Sequence, residues 1–149
     1  KGIIQFFNKI CEIPLNRKHD IVRIPDIIKN SSIENKCSFL RGLADTDFSV
    51  VFRNKTKLGY TYPAITACFK SKFLIEDLEE LYTEFGYPYY VRYGEVRPDK
   101  RFGPTIRNSV CLNGKKNFEK WLKEIGFSNP KFQRKVKKWQ KDGFCPPGY

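Results

Sequence analysis

Four segments of the chain alternate apolar and polar residues with the period of two that is typical of β-strands. In the first segment Val50 and Phe52 fall on one side, and in the second Ile65, Ala67 and Phe69 do. The stretch NKTKLG lies between the first and second segments and RPDKRFG between the third and fourth, which predicts two hairpins. The predicted strands are about 49–56, 60–70, 88–97 and 104–112.

Around these hairpins the apolar period changes to that of α-helices. Gly86, Gly126 and Gly143 follow three helical segments, and Pro130 stands at the first position of the segment that ends at Gly143. Glycine and proline are favoured at such helix ends and starts. The predicted helices are 35–46, 72–85, 115–125 and 130–142. A short amphipathic helix near the N-terminus is predicted from Ile4, Phe7, Ile10 and Cys11.

The order helix, strand, strand, helix, strand, strand, helix predicts an α+β domain whose antiparallel sheet carries its helices on one face. At 149 residues the chain is long enough for one compact domain with a real core and short for two. We expect residues 1–34 to form a helical N-terminal extension and residues 35–149 to form the main domain. The second face of the sheet should remain uncovered.

The residues predicted for this uncovered face combine hydroxyl groups, tyrosine rings and arginine side chains, and none of them is acidic. They are Ser49, Val51, Arg53, Lys55, Tyr60, Tyr62, Thr66, Tyr90, Arg92, Thr105, Arg107 and Ser109, to which the hairpin residues Lys57 and Arg101 are added. Such side chains suit the groove and backbone of a nucleic acid. The alternative is a merely solvated face, which would normally include Asp and Glu.

Charge and composition point to the same class of partner. The net charge is +12, and the acids collect in one helical segment, IEDLEELYTE at 75–84. A basic surface beside one acidic helix suggests a polyanion, most simply nucleic acid, although a generally soluble basic protein is the alternative. We expect no membrane partner, because no apolar run approaches the roughly 20 residues of a membrane span.

The numbers and spacing of cysteine and histidine limit the metal, disulfide and imidazole chemistry that the chain can carry out. Five widely spaced cysteines fit neither a zinc site nor a closed disulfide framework, so we expect reduced thiols packed as small hydrophobes in a cytoplasmic protein. His19 is the one imidazole and has no evident partner. The first residues do not read as a signal peptide, and the absence of an initiator Met suggests that the chain begins inside a longer one.

One stretch places two carboxylates where an apolar helix gives way to a strand. In LRGLADTDF, residues 40–48, Asp45 and Asp47 stand at the negative end of a helix dipole, where acids are unfavourable. Either a cation binds there or the two aspartates are ordinary turn residues. On the same helix the small residues Ser38, Gly42 and Thr46 line up at intervals of four and would let a second helix approach closely.

The stretch LRGLADTDF resembles the nine-residue motif of the LAGLIDADG homing endonucleases. Leu40, Gly42, Leu43, Asp45 and Asp47 match that motif in place. The order of strands and helices after it is similar to the family's, and the phrases RIPDIIKNS, KSKFLIEDLEELYTEFG and EIGFSNPKF are similar to single-motif, intron-encoded archaeal members. The resemblance implies the αββαββα fold, with a concave sheet face that binds DNA.

The resemblance also implies an activity. A homodimer would cut both strands of a long, pseudo-palindromic DNA site across the minor groove, with a divalent cation, Mg²⁺ or Mn²⁺, and no small-molecule cofactor. Asp47 and the backbone carbonyl of Phe48 would bind the metal, while Lys131 and Lys70 would assist catalysis. The implied dimer interface consists of Ser38, Gly42, Asp45 and Thr46.

Three positions depart from the family pattern. Arg41 replaces an alanine, so it should lie at the edge of the helix pair or outside it. Phe48 replaces the final glycine, and Phe69 stands where some relatives carry a polar residue of the active site. A catalytically inactive DNA- or RNA-binding relative, such as a maturase or a regulator, is therefore an alternative, as is one half of a two-motif monomer.

Overall fold

The sheet has four antiparallel strands, β1 (Ser49–Thr56), β2 (Gly59–Phe69), β3 (Tyr90–Arg97) and β4 (Thr105–Asn113), in the order β1-β2-β4-β3. The structure, a computed structural model, describes residues 5, 8–9, 20–56, 59–98 and 103–149, without the side chain of Thr56. The hairpins β1–β2 and β3–β4 are therefore joined by the pairing of β2 with β4 at the centre of the sheet. The predicted α+β class with an antiparallel sheet is confirmed.

Five helices accompany the sheet within the described ranges. They are α1 (Asp26–Lys29), α2 (Ile33–Asp47), α3 (Lys72–Glu84), α4 (Lys115–Glu124) and α5 (Pro130–Asp142). Side-chain caps explain three of the starts, because the side chains of Ser32, Ser71 and Asn129 each accept a hydrogen bond from a backbone N–H of the first turn. The Ser32 cap starts α2 two residues before the predicted position.

The N-terminal part of the chain differs from expectation at one point. A turn-rich link, IPLNRKHDIVRIP, is predicted after the first helix, and the four-residue helix α1, which was not predicted, follows directly after it. Gln5, Asn8 and Lys9 are helical, but the apolar positions of the predicted first helix lie outside the described residues. His19, Lys57 and Arg101 also lie outside them.

The core lies between one face of the sheet and the helices. Alternate strand residues such as Val50, Ile65 and Val110 are buried against Leu78 and Trp121. Helices α3 and α4 pack over the central strands β2 and β4. In each strand, the residues that alternate with the buried ones point to the second, uncovered face of the sheet. We call this face the open face.

The segment before α2 is fastened to this core by a buried carboxylate. Asp77 of α3 is fully buried and accepts hydrogen bonds from the Arg23 guanidinium (2.7 Å), the Ile24 backbone N–H (2.8 Å) and the Lys29 ammonium (3.4 Å). Burial alone would raise the pKa of Asp77, but the hydrogen bonds from Arg23 and Ile24 and the charge of Lys29 lower it below the ordinary value. Ile24 itself is buried in the common core.

A bulge in β3 changes which residues reach the open face. Arg92 pairs with Ser109 and Glu95 pairs with Arg107, so two residues of β3 oppose one residue of β4 between these pairs. Gly94 has a φ of +67°, and its N–H donates to the side chain of Asn108 at 2.9 Å. A straight strand would turn Glu95 toward the helices. The bulge places it on the open face, so the expectation of an acid-free face is wrong at this position.

The thiols of the described cysteines are free. Cys37, Cys111 and Cys145 are buried and Cys68 is half-buried. Burial raises the pKa of the Cys37 and Cys145 thiols, which keeps them protonated near neutral pH. Among the described residues, we also find that none of the helices combines the length and apolar character needed to cross a membrane.

Candidate nucleic-acid interface and motif site

The motif helix α2 ends without the glycine that the family pattern has at its last position. Phe48 follows Asp47 with a φ of −88°, an extended conformation open to any residue. Its ring is buried against Phe69 (centroids 6.4 Å apart) and Trp121 (6.2 Å). The replacement of glycine by Phe48 therefore adds core packing and imposes no backbone strain.

Asp47 and both candidate lysines lie at the same end of the sheet. Asp47 precedes Phe48 and Lys70 follows Phe69, so the contact between the two rings brings their neighbours to one end. The Phe48 ring also contacts Trp121, which packs on Phe127, and Phe127 packs on Phe132 beside Lys131. Asp47, Lys70 and Lys131 are all exposed to solvent.

The Asp47 carboxylate contributes little to the hydrogen bonding of the fold. Its hydrogen bond among the described residues comes from the Thr46 hydroxyl, which donates to it at 2.7 Å. It stands at the negative end of α2, where a carboxylate is unfavourable by a few tenths of a kcal/mol or more. An exposed carboxylate in such a position is available to bind a cation or to act on a substrate.

Asp45 has a different environment two residues earlier. Its carboxylate accepts hydrogen bonds from the backbone N–H groups of Ser128 (2.9 Å) and Asn129 (3.0 Å). The Asn129 side chain donates back to the Asp45 carbonyl at 2.8 Å. Asn129 is the N-cap of α5, so the positive end of the α5 dipole meets the negative end of α2. The α5 N-terminus stabilises the Asp45 carboxylate, which explains one of the two acids of the motif.

The connection between α4 and α5 is hydrogen-bonded along its whole length. Besides the bonds to Asp45, the Ile125 carbonyl accepts from the Arg41 Nε at 2.6 Å, and the Gly126 carbonyl accepts from the Trp121 indole at 3.1 Å. The Phe127 carbonyl accepts from the Gln133 side chain at 2.9 Å. Arg41 thus points from α2 to the α4–α5 connection. The connection holds the first turn of α5, with Lys131, beside the end of the motif helix.

The stripe of small residues predicted to pair with a second helix is exposed in the single chain. Ser38, Gly42 and Thr46 all face solvent, and a Cβ added at Gly42 would meet nothing within 4 Å. Asp45, predicted in the same interface, is half-buried because its carboxylate is bonded to α5.

On the open face, Arg53 is held in one orientation by β4. Its guanidinium donates to the Asn113 side-chain oxygen at 2.9 Å and to the Cys111 sulfur at 3.5 Å. The Arg53 side chain crosses β2 at Ala64, which pairs with Asn113 of β4. Ala64 leaves room for this crossing because its side chain is only a methyl group. Thr66 contacts the Cys111 sulfur at 3.1 Å. This network presents a fixed, exposed cation on the open face.

The β3 side of the open face has a different character. Glu95 pairs with Arg97 (3.1 Å) and lies 3.7 Å from Arg92, and its strand partner is Arg107. Near the other edge, the Lys55 ammonium lies over the Tyr62 ring, 4.4 Å from its centroid. The open face is therefore cationic overall, with one carboxylate surrounded by arginines.

The predicted nucleic-acid residues of the described strands follow the alternation where the register is regular, whereas Tyr60 pairs with Asn54 at an irregularity of the β1–β2 register. The register pairs Ser49 with Thr66, Thr66 with Cys111 and Cys111 with Tyr90, and it pairs Arg97 with Thr105. Four polar residues of this face were not predicted: Glu95, Arg97, Cys111 and Asn113. Strand alternation alone would have found Cys111 and Asn113, whereas Glu95 and Arg97 depend on the bulge.

Comparison of the sequence with models of known protein families and with curated proteins gave no match. Within the residues that the structure describes, no group of three or more His, Cys, Asp or Glu side chains is placed to hold a metal ion.

Proposed function

We propose that this chain is a site-specific DNA endonuclease of the LAGLIDADG homing type, which cuts both strands of a long, pseudo-palindromic site as a homodimer. The observation that carries the proposal is the difference in surroundings between Asp45 and Asp47 at the end of α2. The Asp45 carboxylate is taken up by hydrogen bonds to the α5 N-terminus, while Asp47 is exposed at the end of the sheet where Lys70 and Lys131 also lie. The fold explains the first acid and leaves the second free for chemistry.

The architecture supports the same proposal. The element order from α2 to α4 is the αββαββα order that the resemblance implies, and α5 follows it. The open face begins at Ser49, directly after the motif, so DNA bound there would pass the Asp47 end of the sheet. Hydroxyl groups, tyrosines and arginines on this face suit contacts to bases and phosphates.

The residues at the motif end fit half of a site for a hard divalent cation. The Asp47 carboxylate is exposed, and carboxylate and carbonyl oxygens are the ligands that Mg²⁺ and Mn²⁺ accept. Asp47 and the carbonyl of Phe48 would hold the ion, with a second copy of the chain supplying the matching pair. When bound, the cation would lower the pKa of a water and offset charge on the scissile phosphate.

The chain's own residues would do the remaining work. Lys70 and Lys131 would hold the negative charge of the phosphate near Asp47 by their ammonium groups. The hydrogen-bonded connection from Ile125 to Asn129 would keep Lys131 at a fixed distance from the motif helix. The exposed stripe of Ser38, Gly42 and Thr46 would bring two motif helices together, which places two Asp47 residues near the axis of the dimer.

A cleavage assay tests the proposal. The substrate is DNA that carries the uninterrupted junction at which the gene is inserted, and the reactions contain Mg²⁺ or EDTA. We expect cutting by the wild-type protein with Mg²⁺ and none with EDTA or with Asp47→Asn. Because the Asp47 side chain is exposed, Asp47→Asn should fold normally, which circular dichroism would check.

A binding-only relative is the second candidate, and one observation favours it. Phe69, at the position where some relatives have a polar active-site residue, packs its ring against Phe48 and contributes no polar group. Tight, site-specific binding without cutting under any metal condition would support this candidate and would contradict the endonuclease proposal.

A further inference from the structure

More cations lack an acidic partner on α5 than on the other long helices. In α3 and α4, lysines pair with a glutamate one turn later, as in Lys72–Glu76 (3.0 Å) and Lys115–Glu119 (3.7 Å), and among the described residues Lys116 and Lys123 of α4 have no such pair. In α5 one such pair exists, Lys138 with Asp142. Four cations that reach solvent have no acidic partner among the described residues, and we call them the α5 ridge: Lys131, Arg134, Lys137 and Lys141.

The ridge stands beside the edge strand β1. The Lys135 ammonium donates to the Val50 carbonyl at 2.9 Å, and the Trp139 indole donates to the Thr61 carbonyl at 3.0 Å. The Trp139 ring also packs on Phe52, with centroids 6.0 Å apart. Going along α5 from Lys135 to Trp139 therefore follows β1 from Val50 to Phe52, and α5 runs in the same direction as the strand.

The buried and exposed positions of α5 fix the direction in which the ridge points. Phe132, Val136 and Trp139 form its buried face. Arg134 and Lys141 lie on the opposite side at helical spacing, and Lys131 lies on the side of Lys135, toward β1. Lys131, Arg134 and Lys141 thus extend the cationic surface from the β1 edge around the outer side of α5, whereas Lys137 lies on the other flank, toward Leu122 and Gly126.

The β3 side of the molecule is less cationic than the β1 edge. Helix α3 lies near β3, since the Tyr93 hydroxyl bonds to Glu79 and the Lys72 ammonium lies 5.4 Å from the centroid of the Tyr93 ring. Glu80 of α3 is exposed, and Glu95 offsets part of the charge of the arginines around it. A polyanion on the open face is therefore attracted more strongly toward the β1 edge than toward the β3 side.

We propose that the α5 ridge binds the phosphate backbone of the same DNA duplex that the open face contacts, along the β1 edge. This inference rests on the proposed function for the duplex on the open face. It adds a contact surface outside the sheet, and it assigns the ridge to sequence-independent affinity, because charge pairing with phosphates carries no base information.

Salt-dependent binding to a random-sequence DNA duplex tests the ridge. The variant is Arg134→Gln/Lys141→Gln, and the matched control is Lys116→Gln/Lys123→Gln on α4, which removes the same charge from exposed positions over the middle of the sheet. Removing one ion pair with a phosphate lowers the slope of log affinity against log salt by about 0.9. We expect the slope of the α5 variant to fall by about two and the control to keep the wild-type slope.

The possible outcomes separate the explanations. Equal losses in both variants would mean that only net charge matters, and an unchanged slope in the α5 variant would mean that the ridge is solvated; either result overturns the inference. A loss confined to a stem-loop RNA would assign the ridge to RNA and overturn it as a DNA contact. Arg134→Lys/Lys141→Arg should retain the wild-type slope, which separates charge from folding. Failure of the endonuclease proposal would appear in the cleavage assay and would leave these slopes unaffected.

Discussion

Asp45 and Asp47 stand two residues apart at the end of α2, yet their surroundings differ. Asp45 accepts backbone N–H groups from the α5 N-terminus, whereas Asp47 has the hydroxyl of Thr46 and solvent. A buried or half-buried acceptor that satisfies several donors contributes to stability, and removal of such an acceptor leaves the donors unpaired. An exposed acid at a helix C-terminus contributes nothing or is slightly unfavourable.

The two aspartates should therefore separate in stability measurements. Asp45→Ala should lower the free energy of unfolding by about 1–3 kcal/mol, because the N–H groups of Ser128 and Asn129 lose their acceptor. Asp47→Ala should change it by less than about 0.5 kcal/mol or raise it slightly. Urea denaturation of both variants measures the difference. Equal losses in the two variants would contradict the roles assigned here.

Arg53 owes its fixed orientation to Asn113 and Cys111. Two of its five N–H groups are used within the protein, and three remain for a ligand. An arginine that is held in place loses little entropy when it binds the two acceptors of a guanine, the commonest specific contact in the major groove. The network thus favours base reading over a mobile contact to phosphate.

Base substitution in the DNA site checks this role. Arg53→Ala should cost about 1–3 kcal/mol at one or two base positions and little elsewhere. Asn113→Ala should weaken discrimination at the same positions, and Asn113→Asp should restore it because the side-chain oxygen that holds Arg53 is retained. A uniform loss across all sites would reassign Arg53 to phosphate binding.

At the scale of elements, α2 joins three different surfaces. Leu40 and Ala44 face the core, Arg41 and Asp45 hold the α4–α5 connection, and the stripe that includes Gly42 faces solvent. A change confined to the stripe can therefore test assembly without disturbing the fold.

Gly42→Leu is the sharpest such change. A Cβ at Gly42 meets nothing within 4 Å in the single chain, and leucine is a better helix former than glycine, so the monomer should be as stable or more stable. The added side chain should keep two motif helices apart and abolish the dimer. Sedimentation should give about twice 17.5 kDa for the wild type and a single-chain mass for the variant. A wild-type monomer that is fully active would contradict the dimer, and so would a normal dimer of the variant.

The periodic elements could be predicted closely from the sequence. The predicted bounds of β1 and α5 match Ser49–Thr56 and Pro130–Asp142, because strict alternation defines the strand and an asparagine cap with Pro130 defines the helix start. The bulge at Gly94 could not, since its stabilising partner Asn108 lies on another strand. Alternation read through the bulge assigns Glu95 to the wrong face.

For the candidate site, the sequence predicts the residues better than it predicts the contacts between them. The motif and the alternation identified Asp47, Arg53 and the small-residue stripe. The hydrogen bonds that distinguish Asp45 from Asp47 join residues 83 positions apart in the chain, and those that hold Arg53 reach from β1 across β2 to β4. Such pairings depend on strand register and helix packing, which a local pattern does not contain.

At the scale of the whole molecule, the N-terminal extension and the main domain share one core through Asp77. The pKa of Asp77 is lower in the folded protein than the ordinary 3.8. The ionised carboxylate therefore stabilises the fold fully above that ordinary value, and this contribution is lost as the pH falls through the lower, folded value.

Comparison of the wild type with Asp77→Asn isolates this effect. The wild type should exceed the variant in free energy of unfolding near pH 7, and the excess should shrink below about pH 4 as the carboxylate is protonated. Urea denaturation across this range gives both curves. An excess that is unchanged at acid pH would show that the charge of Asp77 does not contribute.

The bulge in β3 has a consequence for the protein's behaviour at high concentration. A four-stranded sheet has two edges, and an open, straight edge is a template on which another chain can add a strand. The Lys135 side chain covers part of β1. At the other edge, the Gly94 bulge bends β3, and Arg92 and Arg97 charge it. The sheet can thus keep a broad open face in solvent without offering a straight edge for aggregation.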